Sequence, residues 1–215
     1  MEWREAEGRR WLEARLPGAT AAFTTRTFGD AKEGFESLAA LGIDSGAVVS
    51  SRQVHGVDLA FHDRGDPPLP VRLIHAYRGK GAPEGDPEEA DGHVIGAPGK
   101  VGLVFGADCL PIALVGPGGA VILHGGRRGL EQGIATRGAG AVEATAAAVG
   151  PGIGPCCYEI DLWQEAQRQL RDAGVERVEA ADLCTSCEEE LFFSHRRDGD
   201  PRRQAGLVWL DEEPA

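Results

Sequence analysis

No apolar run in this chain approaches the ~20 residues that a membrane-spanning helix needs, so a membrane partner is not expected. The N-terminal stretch MEWREAEGRRWLEARL mixes acidic and basic residues with its apolar ones and lacks the unbroken apolar centre of a secretory signal. Cytoplasmic location is the expectation. Positive charge is scarce: 22 Lys and Arg stand against 34 Asp and Glu, for a net charge of −12 and a pI near 4.9. Nucleic-acid binding that rests on neutralising phosphates is thereby disfavoured, though a basic pocket inside an acidic protein stays open. The five cysteines, an odd number, do not form the set a disulfide framework uses. No repeat of fixed period is visible.

Glycine, by contrast, is abundant at 31 of 215 residues, about twice its usual share, and it gathers around the polar motifs. The hydrophobic and charged fractions, 42% and 26%, are ordinary for a globular chain and predict a single domain over residues 1–215. Turn-bounded segments rich in β-branched or aromatic residues predict strands at Trp11–Arg15, Thr20–Thr25, Val48–Val54, Val57–His62 and Val71–Ala76. Three apolar runs follow, Val101–Phe105, Ile112–Val115 and Ala120–Leu123, joined by GADCLP and the turn GPGG, which reads as a tightly wound three-strand unit. Leu130, Ile134, Val142, Ala146 and Val149 recur near helical spacing, although glycines weaken that helix. The clearest helix is DLWQEAQRQLRDAG, with Asp161 as N-cap and Gly174 as terminator. Late strands are expected at Val175–Val178 and Leu207–Leu210. Together these elements predict a layered α/β (α+β) fold.

His55, Cys109 and His124 each end a strand-like segment, in SSRQVHG, VFGADCLP and AVILHGGRRG. Two imidazoles and one thiolate suit zinc and leave a fourth tetrahedral position for water or substrate. Three unrelated strand-end side chains are the alternative, because spacing alone does not establish contact. His62, His75, His93 and His195 have no comparable company and read as structural or surface residues. Cys184 and Cys187 form C-x-x-C, and Cys156 and Cys157 are adjacent. Four thiolates are enough for a closed zinc site, yet adjacent cysteines are awkward ligands, and reduced, partly buried thiols are the preferred expectation. Arg26, Arg127 and Arg128 are candidates to gather an anion such as phosphate, with Arg128 favoured at the start of an expected helix.

The segments RQVHG, EADGHV, GADCLP, HGGRRG, GPGIGPCCYE, DLCTSC, FFSHRRDG and QAGLVWL resemble, in one order from about Thr24 to Leu210, the YfiH family. Its members are variously called laccase-domain proteins, polyphenol oxidases or purine nucleoside phosphorylases. The resemblance implies an α/β/β/α fold related to cysteine hydrolases and a metal site at His55, Cys109 and His124. It further implies phosphorolysis of adenosine-, inosine- or methylthioadenosine-type nucleosides and deamination of adenosine, with zinc as cofactor and copper the less favoured alternative. Purine nucleoside and phosphate are the expected small-molecule partners, with the chain a monomer or homodimer. Cys109, His124 and Asp108 are the expected catalytic residues, and Arg26, Gln53 and Arg128 the substrate-binding ones.

Other readings stay open beside this one: phenol oxidation by copper, an amidase with Cys109 as nucleophile and His124 as base, and a metal-binding protein without catalysis. Six histidines with no H-x-H pair fall short of a multicopper cluster. Gly125 and Arg127 replace the Ala and Trp of the family's HAGWRG segment. The SLNLG loop appears only as Ser37-Leu38-Ala39-Ala40-Leu41, and the rim looks shortened.

Overall fold

The computed structural model describes residues 1–62 and 89–212. In chain order these form β1 (Glu2–Ala6), β2 (Arg9–Leu16), β3 (Ala19–Thr24), β4 (Val48–Val49), β5 (Leu59–His62), β6 (Gly92–Ile95), β7 (Val101–Gly106), β8 (Leu110–Gly116) and β9 (Gly119–Gly125). There follow α1 (Arg127–Glu131), α2 (Ile134–Val142), β10 (Ala146–Val149), α3 (Leu162–Asp172), β11 (Arg177–Ala180), α4 (His195–Asp198) and β12 (Gln204–Leu210). One sheet runs β1-β2-β3-β12-β7-β4 and the other β11-β10-β8-β9-β6-β5.

Side-chain alternation explains why the sheets stack. On β8, Ala113 and Val115 face the first sheet while Ile112 and Leu114 face the opposite way. On β9 and β10 the same division places Ala120, Ile122, Ala146 and Ala148 between the sheets, and Val121, Leu123, Ala147 and Val149 beneath the helices. Strands buried on both faces read as unbroken apolar runs. Most of the inward residues are small, which lets the sheets approach closely. The outer face of the second sheet is covered by α2 and α3. That of the first is covered by 3-10 turns carrying Phe28 and Leu38 against Trp11, Leu103 and Leu207. The layering is thus the expected α/β/β/α, with 3-10 turns making one outer layer.

Several expectations need correction. The strand expected over Val48–Val54 contracts to two residues, and those over Val57–His62 and Val175–Val178 begin later, at Leu59 and Arg177. The strand expected at Val71–Ala76 lies outside the described residues. Ala146 and Val149 do not continue a helix: α2 stops at Glu143, whose φ is 51°, and the chain re-enters as strand β10. Apolar residues buried on both faces mimic helical spacing there. The three-strand unit also divides, because β8 and β9 pair with each other whereas β7 pairs with β12 and β4 in the other sheet. The GADC corner is where the chain changes sheet. The helix at α3 is as expected, with Asp161 Oδ1 accepting the backbone N–H of Gln164 at 2.9 Å. No helix among the described residues is long and apolar enough to cross a membrane.

Candidate active site

Strand register assembles the site. Leu110 pairs with Gly125 and Pro111 with His124 across the β8–β9 hairpin, so Cys109, just before β8, comes opposite Gly126 and beside His124. Gly92 pairs with Leu123 on the other side of β9, which sets Asp91 next to His124. His55 arrives on a separate loop, and the donor atoms of His55, Cys109 and His124 all lie within 4.8 Å of one another. The two imidazole rings meet edge to face with centroids 4.7 Å apart. His124 is buried, Cys109 half-buried and His55 exposed, so the cluster opens on one side.

Asp91, to which the sequence reading gave no role, is the organising group. One of its carboxylate oxygens lies 2.8 Å from His124 Nδ1, leaving Nε2 of that ring for the cluster. The same carboxylate accepts the backbone N–H groups of Val54, His55 and Gly56 at 3.1, 3.0 and 2.7 Å. These bonds hold His55 at φ 59°, and Asp108, beside Cys109, sits at φ 94°. Such backbone costs on the order of 1–3 kcal/mol per residue and persists only when its surroundings enforce it. The sequence signal of Asp91 is an acid directly before a buried strand, in EADGHV.

Gly126 shows how tightly the cluster is drawn. A Cβ there would lie 2.9 Å from His55 Cδ2 and 3.1 Å from Cys109 Sγ. Gly125, which differs from the family's alanine, has no room either, since a Cβ would meet Ile112 Cδ1 at 2.9 Å.

Burial disfavours charge on His124, Cys109 and Asp91, but hydrogen bonding reverses the outcome. Hydrogen bonds to Asp91 and Cys109 raise His124 to about 9. Bonds from His124 and His55 hold the Cys109 thiol down at about 6. Asp91 is kept below the ordinary carboxylate range by His124 and the Gly56 N–H, again against burial. At neutral pH the metal-free cluster is therefore a thiolate beside an imidazolium.

The cluster forms one wall of a cavity of about 750 Å³. Among the described residues six cationic ones line it, Lys32, Arg52, Arg127, Arg128, Arg196 and Arg203, against the single acid Asp108. This is the basic pocket that an acidic chain left open. Arg127 is drawn to Glu131, Arg196 to Glu159 and Arg52 to Glu89. The Arg128 guanidinium makes no hydrogen bond or ion pair among the described residues. Phe105 and Tyr158 add flat walls.

The other expected site residues divide between the cavity and its surroundings. Arg26 does not line the cavity: it donates to the carbonyl of Glu189 at 2.5 Å and lies over the Phe193 ring. Gln53 lines the cavity, but its amide is engaged at both ends, donating to the Phe105 carbonyl at 2.9 Å and accepting the Phe105 N–H at 2.7 Å. Asp108 also lines it, with one oxygen accepting from Thr185 Oγ1 at 2.8 Å and the other from the Arg196 N–H at 2.7 Å. His195, read as structural or surface, is a cavity residue. The stretch that begins at Arg128 is a helix of one turn, Arg127–Glu131.

Residues 29–162 and 159–211 match the family model described as multi-copper polyphenol oxidoreductase laccase. The chain is 31% identical to a protein of Geobacillus stearothermophilus called purine nucleoside phosphorylase YlmD, over 97% of each chain. It is 30% identical to one of Xylella fastidiosa called purine nucleoside phosphorylase, over 74% of this chain and 70% of that one. The crystal structure of YlmD from Geobacillus stearothermophilus superposes with a TM-score of 0.77 at 26% identity, covering 98% of this chain and 99% of that one. That of Bacillus licheniformis YfiH has the same fold, with a TM-score of 0.78 at 22% identity over 97% and 99% of the two chains. The ordered motifs, the strand topology and these likenesses agree: the chain belongs to the YfiH family of laccase-like proteins.

Proposed function

We propose that the chain is a zinc-dependent purine nucleoside enzyme that splits adenosine- and inosine-type nucleosides with phosphate and also deaminates adenosine. The observation that carries the reading is a strongly cationic cavity opening on a His-Cys-His cluster in a chain of net charge −12. The relatives' names point the same way.

His55, Cys109 and His124 would hold the zinc. Their donor set is the thiolate-imidazole mixture zinc favours, and their mutual distances within 4.8 Å fit one ion. Zinc supplies Lewis acidity at neutral pH without redox change. Asp91 orients His124 and, through three backbone N–H groups, the His55 loop. Arg128 and Lys32 draw phosphate into the cavity and hold it against the ribose; phosphate oxygen bonds to the anomeric carbon as the carbon–nitrogen bond breaks and the purine leaves. Phe105 and Tyr158 offer the base its apolar walls. Asp108 acts as a positioning residue, since Thr185 and Arg196 occupy its oxygens.

The test is turnover of adenosine and inosine with and without phosphate. Free base and ribose phosphate appearing only with phosphate supports phosphorolysis, and ammonia release from adenosine supports deamination. Absence of turnover on every nucleoside overturns the reading. One observation favours a second: Asp91, His124 and Cys109 line up as acid, imidazole and lowered-pKa thiolate, an arrangement suited to amide hydrolysis. Metal bound to that thiolate would block it, so an acyl-Cys109 adduct in metal-free protein would be its signature.

A further inference from the structure

The fold brings together a second set of donors, far apart in sequence. The Sγ atoms of Cys156, Cys157, Cys184 and Cys187 all lie within 4.8 Å of one another. We propose that these four cysteines bind one zinc ion in a closed tetrathiolate site that ties the turn at 154–158 to the turn at 184–188. The proposal is independent of the nucleoside reading.

Distances argue for a shared centre. Zn–S bonds of about 2.3 Å arranged tetrahedrally separate the sulfurs by about 3.8 Å. Cys187 Sγ stands 3.5 Å from both Cys156 Sγ and Cys157 Sγ. A disulfide would select one partner at about 2.05 Å, whereas equal spacing from two sulfurs is what a common ligand centre produces. All four cysteines are free thiols.

Each pair sits on a turn suited to presenting two sulfurs. Cys187 and Glu188 donate their N–H groups to the Cys184 carbonyl at 3.1 and 2.9 Å, and Cys157 and Tyr158 donate theirs to the Gly154 carbonyl at 3.0 and 3.1 Å. That turn lets adjacent Cys156 and Cys157 converge on one point, which removes the objection that neighbours make awkward ligands. The backbone N–H of Gly154 points at Cys184 Sγ at 3.2 Å, a bond that stabilises a thiolate. Gly154 packs closely as well: a Cβ would lie 3.3 Å from Cys156 Sγ and 2.6 Å from the Trp163 ring. Four protein ligands leave no open position, the mark of a structural ion.

The clamp would act on the cavity rim. Ile153 and Tyr158 line the cavity beside one turn, and Thr185 in the other holds Asp108 at 2.8 Å.

The measurement is metal content and coordination in full-length Cys109→Ala, purified under reducing, chelator-free conditions, where the first cluster lacks its thiolate. The expected result is about one zinc per chain bound through four sulfurs by X-ray absorption, released by a mercurial reagent, and lost in Cys109→Ala/Cys187→Ser. Should that double variant be insoluble, cobalt substitution of the single variant decides, through the strong thiolate-to-cobalt band of a tetrathiolate site. A metal-free single variant, a zinc shell containing nitrogen, or a disulfide among the four cysteines overturns the proposal.

Discussion

The carboxylate of Asp91 lies 2.8 Å from Nδ1 of His124, and its remaining hydrogen bonds go to the backbone of the loop that carries His55. One buried side chain thus presets two members of the His-Cys-His cluster from different parts of the chain. Asp91→Asn should lower zinc affinity by about 10–100-fold, as loss of a ligand's supporting partner typically does. Asp91→Ala should also destabilise the fold, because each stranded N–H costs about 1–3 kcal/mol if buried without a partner. Chelator competition and urea denaturation would measure the two effects. Unchanged affinity in both variants would remove Asp91 from the site's machinery.

Cys109 should react as a thiolate once metal is removed. With its thiol held at about 6 by His124 and His55 against the effect of burial, alkylation of the stripped protein should rise through a midpoint near pH 6. His124→Ala should move that midpoint toward the ordinary cysteine value of about 8.5. Peptide-level mass spectrometry separates Cys109 from the other four cysteines. A wild-type midpoint in the ordinary range would contradict the thiolate-imidazolium pair.

Arg128 and Arg26 should differ sharply. Arg128 faces the cavity without a partner among the described residues, whereas Arg26 is anchored on the Glu189 carbonyl and Phe193. Losing a charge-assisted contact worth about 1.5–3 kcal/mol, Arg128→Ala should raise the KM for phosphate at least tenfold, with Arg26→Ala nearly silent in the same assay. The reverse order would assign phosphate to Arg26 in place of Arg128.

Gly126 and Gly140 form a paired test. The Gly126→Ala Cβ would press on His55 and Cys109, while a Cβ at Gly140 meets nothing within 4 Å. Gly126→Ala should abolish metal binding at the first site, and Gly140→Ala should stabilise α2 by up to about 1 kcal/mol. Metal titration and thermal melting report the two outcomes; metal retention in Gly126→Ala would show that the cluster has slack.

Stability should fall in acid partly through His93. Burial, and secondarily the charge of His62, lower this group to about 3, opposed by Asp91. The folded state keeps it neutral while the unfolded chain takes up a proton below about 6.5, so stability declines as pH drops from about 6.5 toward 3, by about 1.4 kcal/mol per unit. His93→Asn should flatten the difference in urea midpoint between pH 7 and pH 5. Equal slopes in the two proteins would exclude His93 as a contributor.

Local signals in the chain were legible where one element decided them. Asp161 and Gly174 bounded α3, and the GPGG turn marked the β8–β9 hairpin. Relations between elements were not. Apolar strands buried on both faces lose their alternation, so Ala146–Val149 passed for helix and β7 for a partner of β8. His55, Cys109 and His124 were visible as strand-end donors. Asp91 was not, because its role depends on the register that sets Gly92 opposite Leu123. The placement of Arg26 was hidden for the same reason: a charge beside a strand end does not reveal which way its side chain turns.

The GADC corner, where the chain leaves one sheet for the other, also governs when the site can exist. Cys109 and His124 meet through a short hairpin, but Asp91 and His55 join only after β6 has docked on β9. No peptide excised around any one motif contains the donor set, and contacts so distant in sequence form slowly. A metal bound by this cluster would have to await the docking of β6 on β9, so that its capture would time the completion of the second sheet.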